Sequence, residues 1–449
     1  MSALARWFVH EGTMVAGYDR TSTPLTRDLE AEGIAVHYSD DPESIPAPFR
    51  DPKSTLVIYT PAVPEDHREL AMFRSEGFTV VKRAEALGCL CRDKYVMAVA
   101  GTHGKTTTTT LTAWLNASLD ENGCAFLGGI SRNFGSNLVL GSGDRAVVEA
   151  DEFDRSFLQL SPDAAVVTST DADHLDIYGC RDALLEAFGQ FVNRLRPGGT
   201  LILREGVPLE AAPGTSVYSY SLNGPTSFRA ENIIPSGGGR YRFDLVTPDE
   251  TVSDCTLGIP GLINLENAVA ACALVWAAAR AEGKPLNPDA LRAGLASFEG
   301  VKRRFEIWLD TPRTVYMDDY AHHPRELRAA LESLRDMYPG RRITAVFQPH
   351  LYTRTRDFYR EFAAALSLAD EVILLPVYPA REEPIEGVDS GLIADLLTVP
   401  HRTIPRERLT AEVERASVDV LVTFGAGDID NYPAEIARRL KEKLSPDEW

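Results

Sequence analysis

The sequence predicts an α/β architecture with largely parallel sheets, spread over more than one domain. Three observations carry that reading. Short strand-like apolar runs alternate with helical patterns along nearly the whole chain, the arrangement that βαβ crossovers produce. The 449 residues exceed what one ordinary core organises, so two to three domains are expected. Residues 96–107 run from an apolar strand through Gly101-Thr102-His103-Gly104 into Lys105-Thr106-Thr107 and a helix, the strand–loop–helix turn of a phosphate cradle.

Composition narrows the class. Hydrophobic residues make up 44% and charged residues 25%, the balance of a globular protein in water. The formal net charge of −19 opposes nucleic acid and anionic membrane surfaces, so neither is an expected partner. No charged segment precedes an apolar core at the N-terminus. No run reaches the ~18 apolar residues of a membrane span. A cytoplasmic protein without membrane insertion is expected. The six cysteines, Cys89, Cys91, Cys124, Cys180, Cys255 and Cys272, form no CxxC pair. Free, buried or half-buried thiols of a reducing compartment are expected rather than a zinc site.

Along the chain, residues 2–8 read as a helix, 55–60 as a buried strand closed by Pro61, and 78–81 as another strand. Arg92-Asp93-Lys94 links into the phosphate-loop strand, which sets a first domain at 1–93. The second, 94–299, continues with strands at 146–149 and 164–168 and a helix over 183–194 that Pro197-Gly198-Gly199 closes. Residues 213–260, rich in Gly, Ser, Thr and Pro with alternation around 241–245, read as an antiparallel annex, and 264–281 as an Ala-rich helix. In the third domain, 300–449, strands fall at 314–317, 343–347, 372–375 and 420–423 with helices between.

The chemistry-bearing residues cluster after strands. In the loop, glycines let backbone N–H groups wrap an anion; Lys105 can reach terminal phosphates and Thr106 can place its hydroxyl on Mg²⁺. The general nucleotide-loop pattern wants a glycine where Val99 stands, so the loop is a variant form. Glu149-Ala150-Asp151-Glu152 follows a strand directly, where a Mg²⁺ ligand belongs. Asp171-Ala172-Asp173-His174 follows the next, and His174 reads as a second metal ligand, a phosphate contact or a structural histidine.

Further on, Asp318-Asp319-Tyr320-Ala321-His322-His323-Pro324 reads either as a metal site or as a strand-to-helix turn facing a ligand between domains, the latter fitting the spacing better. Arg354 and Arg356 are forked donors suited to carboxylate or phosphate, or else surface ion pairs. Lys302-Arg303-Arg304-Phe305-Glu306 sits at the hinge. Gly425-Ala426-Gly427-Asp428 reads as a tight turn rather than half a dinucleotide motif.

Six of these motifs in register, with Phe298-Glu299-Gly300-Val301 leading into the hinge run and Phe347-Gln348-Pro349-His350 leading into Tyr352-Thr353-Arg354-Thr355-Arg356-Asp357, resemble the Mur ligases of peptidoglycan synthesis, and within them the alanine-adding type. The resemblance covers essentially the whole chain. It implies a UDP-binding Rossmann-like N-terminal domain, a central ATPase domain and a Rossmann-like C-terminal domain for the amino acid. It also implies an ATP- and Mg²⁺-dependent enzyme of cell-wall synthesis that joins L-alanine to the lactyl carboxylate of UDP-N-acetylmuramate through an acyl phosphate, with domain closure excluding water. By resemblance Gly101 to Thr107 cradle the phosphates, Thr106 and Glu149 hold one Mg²⁺, and Glu149 with His174 holds a second. His322 and Arg354 orient L-alanine. Asn264 and Asn267 lie on the adenine side, and Arg303 and Tyr320 line the nucleotide or amino-acid pocket. A monomer or weak homodimer is expected.

The departures are specific. Ile263 stands where the family has a histidine, Leu351 where many members have an arginine, and Ser169 where an asparagine is usual. The family also has a first strand and a Gly-rich loop before the segment matching Met1-Ser2-Ala3-Leu4-Ala5. The expectation is therefore a native product that starts upstream, with weak UDP binding if it does not. The rivals are a recycling ligase that adds a whole tripeptide to UDP-N-acetylmuramate, a catalytically impaired ATP-binding homologue, and a plain phosphotransferase. The 352–356 run favours the alanine-adding type, and Lys105, Glu149 and His174 argue against an impaired homologue.

Overall fold

The computed structural model describes residues 1–64, 66–171, 178–380, 382–415 and 418–444. The described chain divides into two compact units, one of residues 1–232, 243–255 and 266–298 and one of residues 233–242, 256–265 and 299–449.

The first unit opens with the helix Ser2–His10, which the sequence predicts. The short strands β1 (Ala16–Tyr18) and β2 (Ala35–His37) pair in parallel, as do β3 (Leu56–Tyr59) and β4 (Thr79–Lys82). Among the described residues the two pairs belong to separate sheets.

The main sheet of this unit contains β5 (Tyr95–Ala100), β6 (Cys124–Phe126), β7 (Leu138–Val139), β8 (Arg145–Glu149), β9 (Ala164–Val167), β10 (Thr200–Arg204) and β11 (Ser216–Tyr220). Its order is β11-β10-β9-β5-β8-β6-β7, parallel throughout except for β7. β5, β8 and β9 are continuous Ala/Val-rich runs because helices cover both faces of a parallel sheet. Val96, Ala98, Ala100, Val148, Val167, Phe188 and Phe191 meet in its core.

Placing β11 in this sheet corrects the sequence reading, which put all of 213–260 in an annex. Register explains it: Ser216 to Tyr220 pair one for one with Thr200 to Arg204 in parallel, and local composition does not reveal such a partner. The annex begins later, as the three-stranded sheet β12 (Arg229–Gly237), β13 (Arg240–Val246) and β14 (Thr251–Thr256), whose residues divide between both units.

Among the described residues one helix, Leu262–Ala281, is long and apolar enough to cross a membrane by length and mean hydropathy, although Asn264, Glu266, Asn267 and Arg280 keep it short of the uninterrupted apolar run that the sequence was expected to lack. Its apolar window is 83% buried inside the protein, so its hydrophobicity is that of a core helix.

The second unit holds β15 (Glu306–Asp310), β16 (Val315–Asp319), β17 (Ile343–Phe347), β18 (Glu371–Leu374), β19 (His401–Thr403) and β20 (Val420–Phe424) in the order β15-β16-β20-β17-β18-β19. Only β15 runs antiparallel. Two clusters fill its faces, one built on Leu327, Leu331, Phe347, Phe362 and Val420, the other on Tyr316, Val346, Leu421 and Ile436. All six cysteines are free thiols, with Cys91, Cys124, Cys255 and Cys272 buried and Cys89 and Cys180 exposed, against the expectation that all would be at least half-buried.

Candidate active site

In the first unit the carboxyl ends of β5, β8 and β9 lie side by side, since β5 pairs with both neighbours. The connection out of β5 runs to β6 on one side and that out of the adjacent β9 runs to β10 on the other, the switch point at which parallel sheets bind ligands. Gly101 turns the chain out of β5 at φ +131°, and a Cβ there would lie 2.1 Å from Thr168 Oγ1. Gly104 sits at φ +79°, where a Cβ would lie 2.6 Å from Asn267 Oδ1. Only glycine fits either place.

Gly104 is also the N-cap of the helix Lys105–Ser118, and no side chain caps that end. Its first N–H groups and the positive end of its dipole are left for an anion. The helix carries Thr106 to Thr110 and Thr112, β-branched residues of modest helix propensity. Burial and the bonds Thr109 Oγ1 to Lys105 O at 2.8 Å and Thr112 Oγ1 to Thr108 O at 2.7 Å hold it.

The loop is braced from β9. Thr102 and Ser169 share a hydroxyl–hydroxyl bond of 2.8 Å, His103 N–H donates to Ser169 Oγ at 2.9 Å, and Thr168 Oγ1 donates to His103 O. Ser169, a departure from the family pattern, thus fixes the loop with its hydroxyl. His103 Nε2 lies 3.6 Å from Asp171 Oδ2.

Thr106 Oγ1 and Glu149 Oε1 are 3.1 Å apart, and Gly128 N–H donates to Glu149 Oε2 at 3.1 Å. These are hard oxygen donors of the kind Mg²⁺ takes. Lys105 Nζ donates to Gly101 O at 2.7 Å and to Glu152 Oε1 at 2.8 Å. Burial opposes the charge on Lys105, but Glu152, Asp151 and Glu149 outweigh it and hold the ammonium above the ordinary lysine value. Burial pushes the Glu152 carboxyl above the usual carboxylate range while Lys105 pulls it down. His174, predicted as a metal ligand, lies outside the described residues, as do Ala172 and Asp173.

Two residues escaped the sequence reading. A Cβ at Gly128 would lie 2.1 Å from Glu149 Oε2, so that glycine admits the carboxylate; two glycines after the apolar strand ending at Leu127 were the available signal. Glu152 was read only as the end of the acidic run 149–152, with no role of its own. Of the predicted asparagines, Asn267 packs on the loop at Gly104, whereas Asn264 Nδ2 is taken by Pro260 O at 2.7 Å.

In the second unit another set gathers at the carboxyl ends of β16, β17 and β20. Asp318, fully buried, accepts from Thr423 Oγ1 at 2.6 Å and from Arg303 Nε at 2.9 Å. Asp319 accepts from Phe305 N and Ala321 N, each at 2.8 Å; burial raises its carboxyl to about 6. These aspartates build the turn, and among the described residues no cluster of histidine, cysteine and carboxylate is shaped to hold a metal. Arg303 is committed to Asp318 and the Gly425 carbonyl, and Arg303 and Arg304 both lie over the Tyr320 ring, at 5.4 and 5.3 Å.

His322 Nδ1 lies 3.1 Å from Tyr320 O, its ring 5.2 Å from that of Tyr320 and 6.0 Å from that of His350. Because Nδ1–H donates to the carbonyl, Nε2 keeps its lone pair. Burial lowers the His322 pKa, with Arg354 and Arg304 adding to the effect and Glu326 opposing it. Arg354 has a buried Nη1 with no hydrogen-bond partner among the described residues. Arg356 is exposed and paired with Asp357 at 2.7 Å. Leu351, at φ +72°, starts the helix Tyr352–Leu366, and its N–H donates to Tyr378 O at 2.9 Å.

Three family descriptions match the chain in order: Mur ligase family, catalytic domain, at residues 1–95; Mur ligase middle domain at 99–275; and Mur ligase, glutamate ligase domain, at 303–441. The chain is 48% identical to a UDP-N-acetylmuramate–L-alanine ligase of Phocaeicola vulgatus, over 99% of this chain and 96% of that one. It is 47% identical to the protein of that name from Parabacteroides distasonis, over the same shares. Among solved structures, the UDP-N-acetylmuramate–alanine ligase of Thermotoga maritima superposes with a TM-score of 0.81 at 27% identity, covering 99% of this chain and 97% of that one. A murein peptide ligase of Psychrobacter arcticus shares the fold, with a TM-score of 0.69 at 21% identity and the same coverage.

Proposed function

The chain belongs to the Mur ligase family, and on that premise we propose how its two clusters of side chains divide one reaction. The protein is a three-domain, ATP-dependent ligase that joins L-alanine to UDP-N-acetylmuramate in peptidoglycan synthesis. The domain limits we assign are 1–93, 94–299 and 300–449, and we expect a monomer or weak homodimer.

In the first half-reaction the lactyl carboxylate attacks the γ-phosphorus of ATP. A carboxylate O–P bond forms, the bond to the β-phosphate oxygen breaks, and ADP leaves. Anion meets anion, so the barrier is largely electrostatic. The uncapped helix end and the loop N–H groups bind the phosphates, and Lys105 neutralises charge on the transferring group. Thr106 and Glu149 would hold Mg²⁺, which would supply positive charge against that of the phosphates; His174 is assigned beside them by resemblance alone. Asn267 steadies the loop at Gly104, and Asn264 is placed on the adenine side.

In the second half-reaction the amine of L-alanine attacks the acyl carbon, a C–N bond forms, and phosphate leaves. Arg354 binds the alanine carboxylate through its unpartnered Nη1. His322 accepts a proton from the alanine ammonium at Nε2, which its neutral state leaves available. Tyr320, whose ring both Arg303 and Arg304 overlie, forms the wall beside it.

The observation that carries this division is the contrast in pairing: Lys105 already has a carboxylate partner, and Arg354 Nη1 has no hydrogen-bond partner among the described residues. The test is ADP release with ATP, Mg²⁺ and UDP-N-acetylmuramate, with and without L-alanine. Sustained turnover is expected only with alanine. Alanine-independent turnover, or a preference for tripeptide over alanine, contradicts the assignment.

A further inference from the structure

Glu152 is fully buried, and its Oε1 is 2.8 Å from Lys105 Nζ. The backbone around it is built to keep it there. Asp154 and Arg155 are both left-handed, at φ 52° and 55°, a conformation that non-glycine residues adopt at a cost. Lys82 Nζ binds Asp154 Oδ2 at 2.8 Å, Tyr178 Oη donates to Glu152 O at 2.5 Å, and Arg155 lies over the Tyr178 ring at 5.6 Å. Two strained residues and three side-chain contacts thus fix one carboxylate against the lysine of the phosphate loop.

We propose that Glu152 is a positioning residue, the counter-ion of Lys105, which holds the ammonium when no nucleotide is bound and competes with nucleotide phosphate for it. The proposal rests on the assignment of Lys105 to phosphate binding. An ammonium has three N–H donors; Gly101 O and Glu152 Oε1 take two, and the third is left for a phosphate oxygen. A buried lysine with no partner would be strongly destabilised, so an acceptor has to stand in when no nucleotide is bound. The same carboxylate repels the arriving phosphates in a poorly screened site. It weakens nucleotide binding and favours release of ADP, because Lys105 divides its charge between Glu152 and the phosphates while they are bound.

The test is calorimetric titration of the full-length protein with MgADP and with a non-hydrolysable ATP analogue, alongside steady-state kinetics. Glu152→Gln keeps an oxygen at the same reach without the charge, and is expected to bind MgADP roughly tenfold more tightly. The KM for ATP should fall, and kcat should fall with it as release slows. Glu152→Asp, which retains the charge, should bind within a few-fold of wild type. In the Lys105→Met background, Glu152→Gln should tighten binding by clearly less, because only the direct repulsion of phosphate is left to remove. Unchanged or weaker MgADP binding by Glu152→Gln overturns the proposal, as does an equal effect without Lys105. Should Glu152→Gln fail to fold, the Asp variant and the wild-type Lys105 Nζ NMR resonance serve instead: a resonance unmoved by MgADP also overturns it. Failure of the wild type to bind MgADP would refute the reading of the loop itself, a distinguishable result.

Discussion

The phosphate loop and the His322–Arg354 cluster meet charged ligands in opposite ways. At the loop, the main cation is matched in advance: Lys105 rests on Glu152 and Gly101 O, and the ligand must displace or share existing bonds. In the second unit, His322 packs against Tyr320 and His350, and the buried Arg354 Nη1 has no hydrogen-bond partner among the described residues. The first arrangement gives control over binding and release of a multiply charged nucleotide. The second gives affinity for a small zwitterion, because an unsatisfied buried donor gains more from its ligand than a satisfied one.

Four perturbations sharpen or break this contrast. The largest effect is expected from Lys105→Met, which should lower kcat about 1000-fold, measured as ADP release. Arg354→Ala should raise the KM for L-alanine about 100-fold while MgADP affinity, by calorimetry, stays unchanged; a loss of nucleotide binding would blur the two sites into one. Gly128→Ala places a methyl 2.1 Å from Glu149 Oε2, displacing the carboxylate. Activity should fall about tenfold or more, with a raised Mg²⁺ requirement in a magnesium titration.

The smallest effect concerns pH. Burial lowers the His322 pKa, so the neutral ring persists to below the ordinary histidine range and protonates only on further acidification. The kcat/KM for L-alanine should fall on the acid side through a pKa below about 6.5, and His322→Gln should remove that dependence.

The strand ends and the loop glycines were legible because each sits in a local pattern, an apolar run followed by punctuation, and Lys105, Glu149, His322 and Arg354 stand out as candidates because they follow such runs. The rest depends on partners far along the chain. β11 reads as annex from its composition, and only pairing with β10 assigns it to the sheet. Glu152 differs from Glu149 through the left-handed turn at Asp154 and Arg155, which residue types do not announce. Gly128 matters only because Glu149, 21 residues later, reaches its N–H. Arg354 and Arg356 are equal candidates in sequence, and burial separates them.

The most direct test of the division of labour is trapping of the acyl phosphate with hydroxylamine, in reactions holding ATP, Mg²⁺ and UDP-N-acetylmuramate but no L-alanine. Arg354→Ala should form hydroxamate as the wild type does, and Lys105→Met should form almost none. Loss of hydroxamate in Arg354→Ala, or its retention in Lys105→Met, would contradict the account.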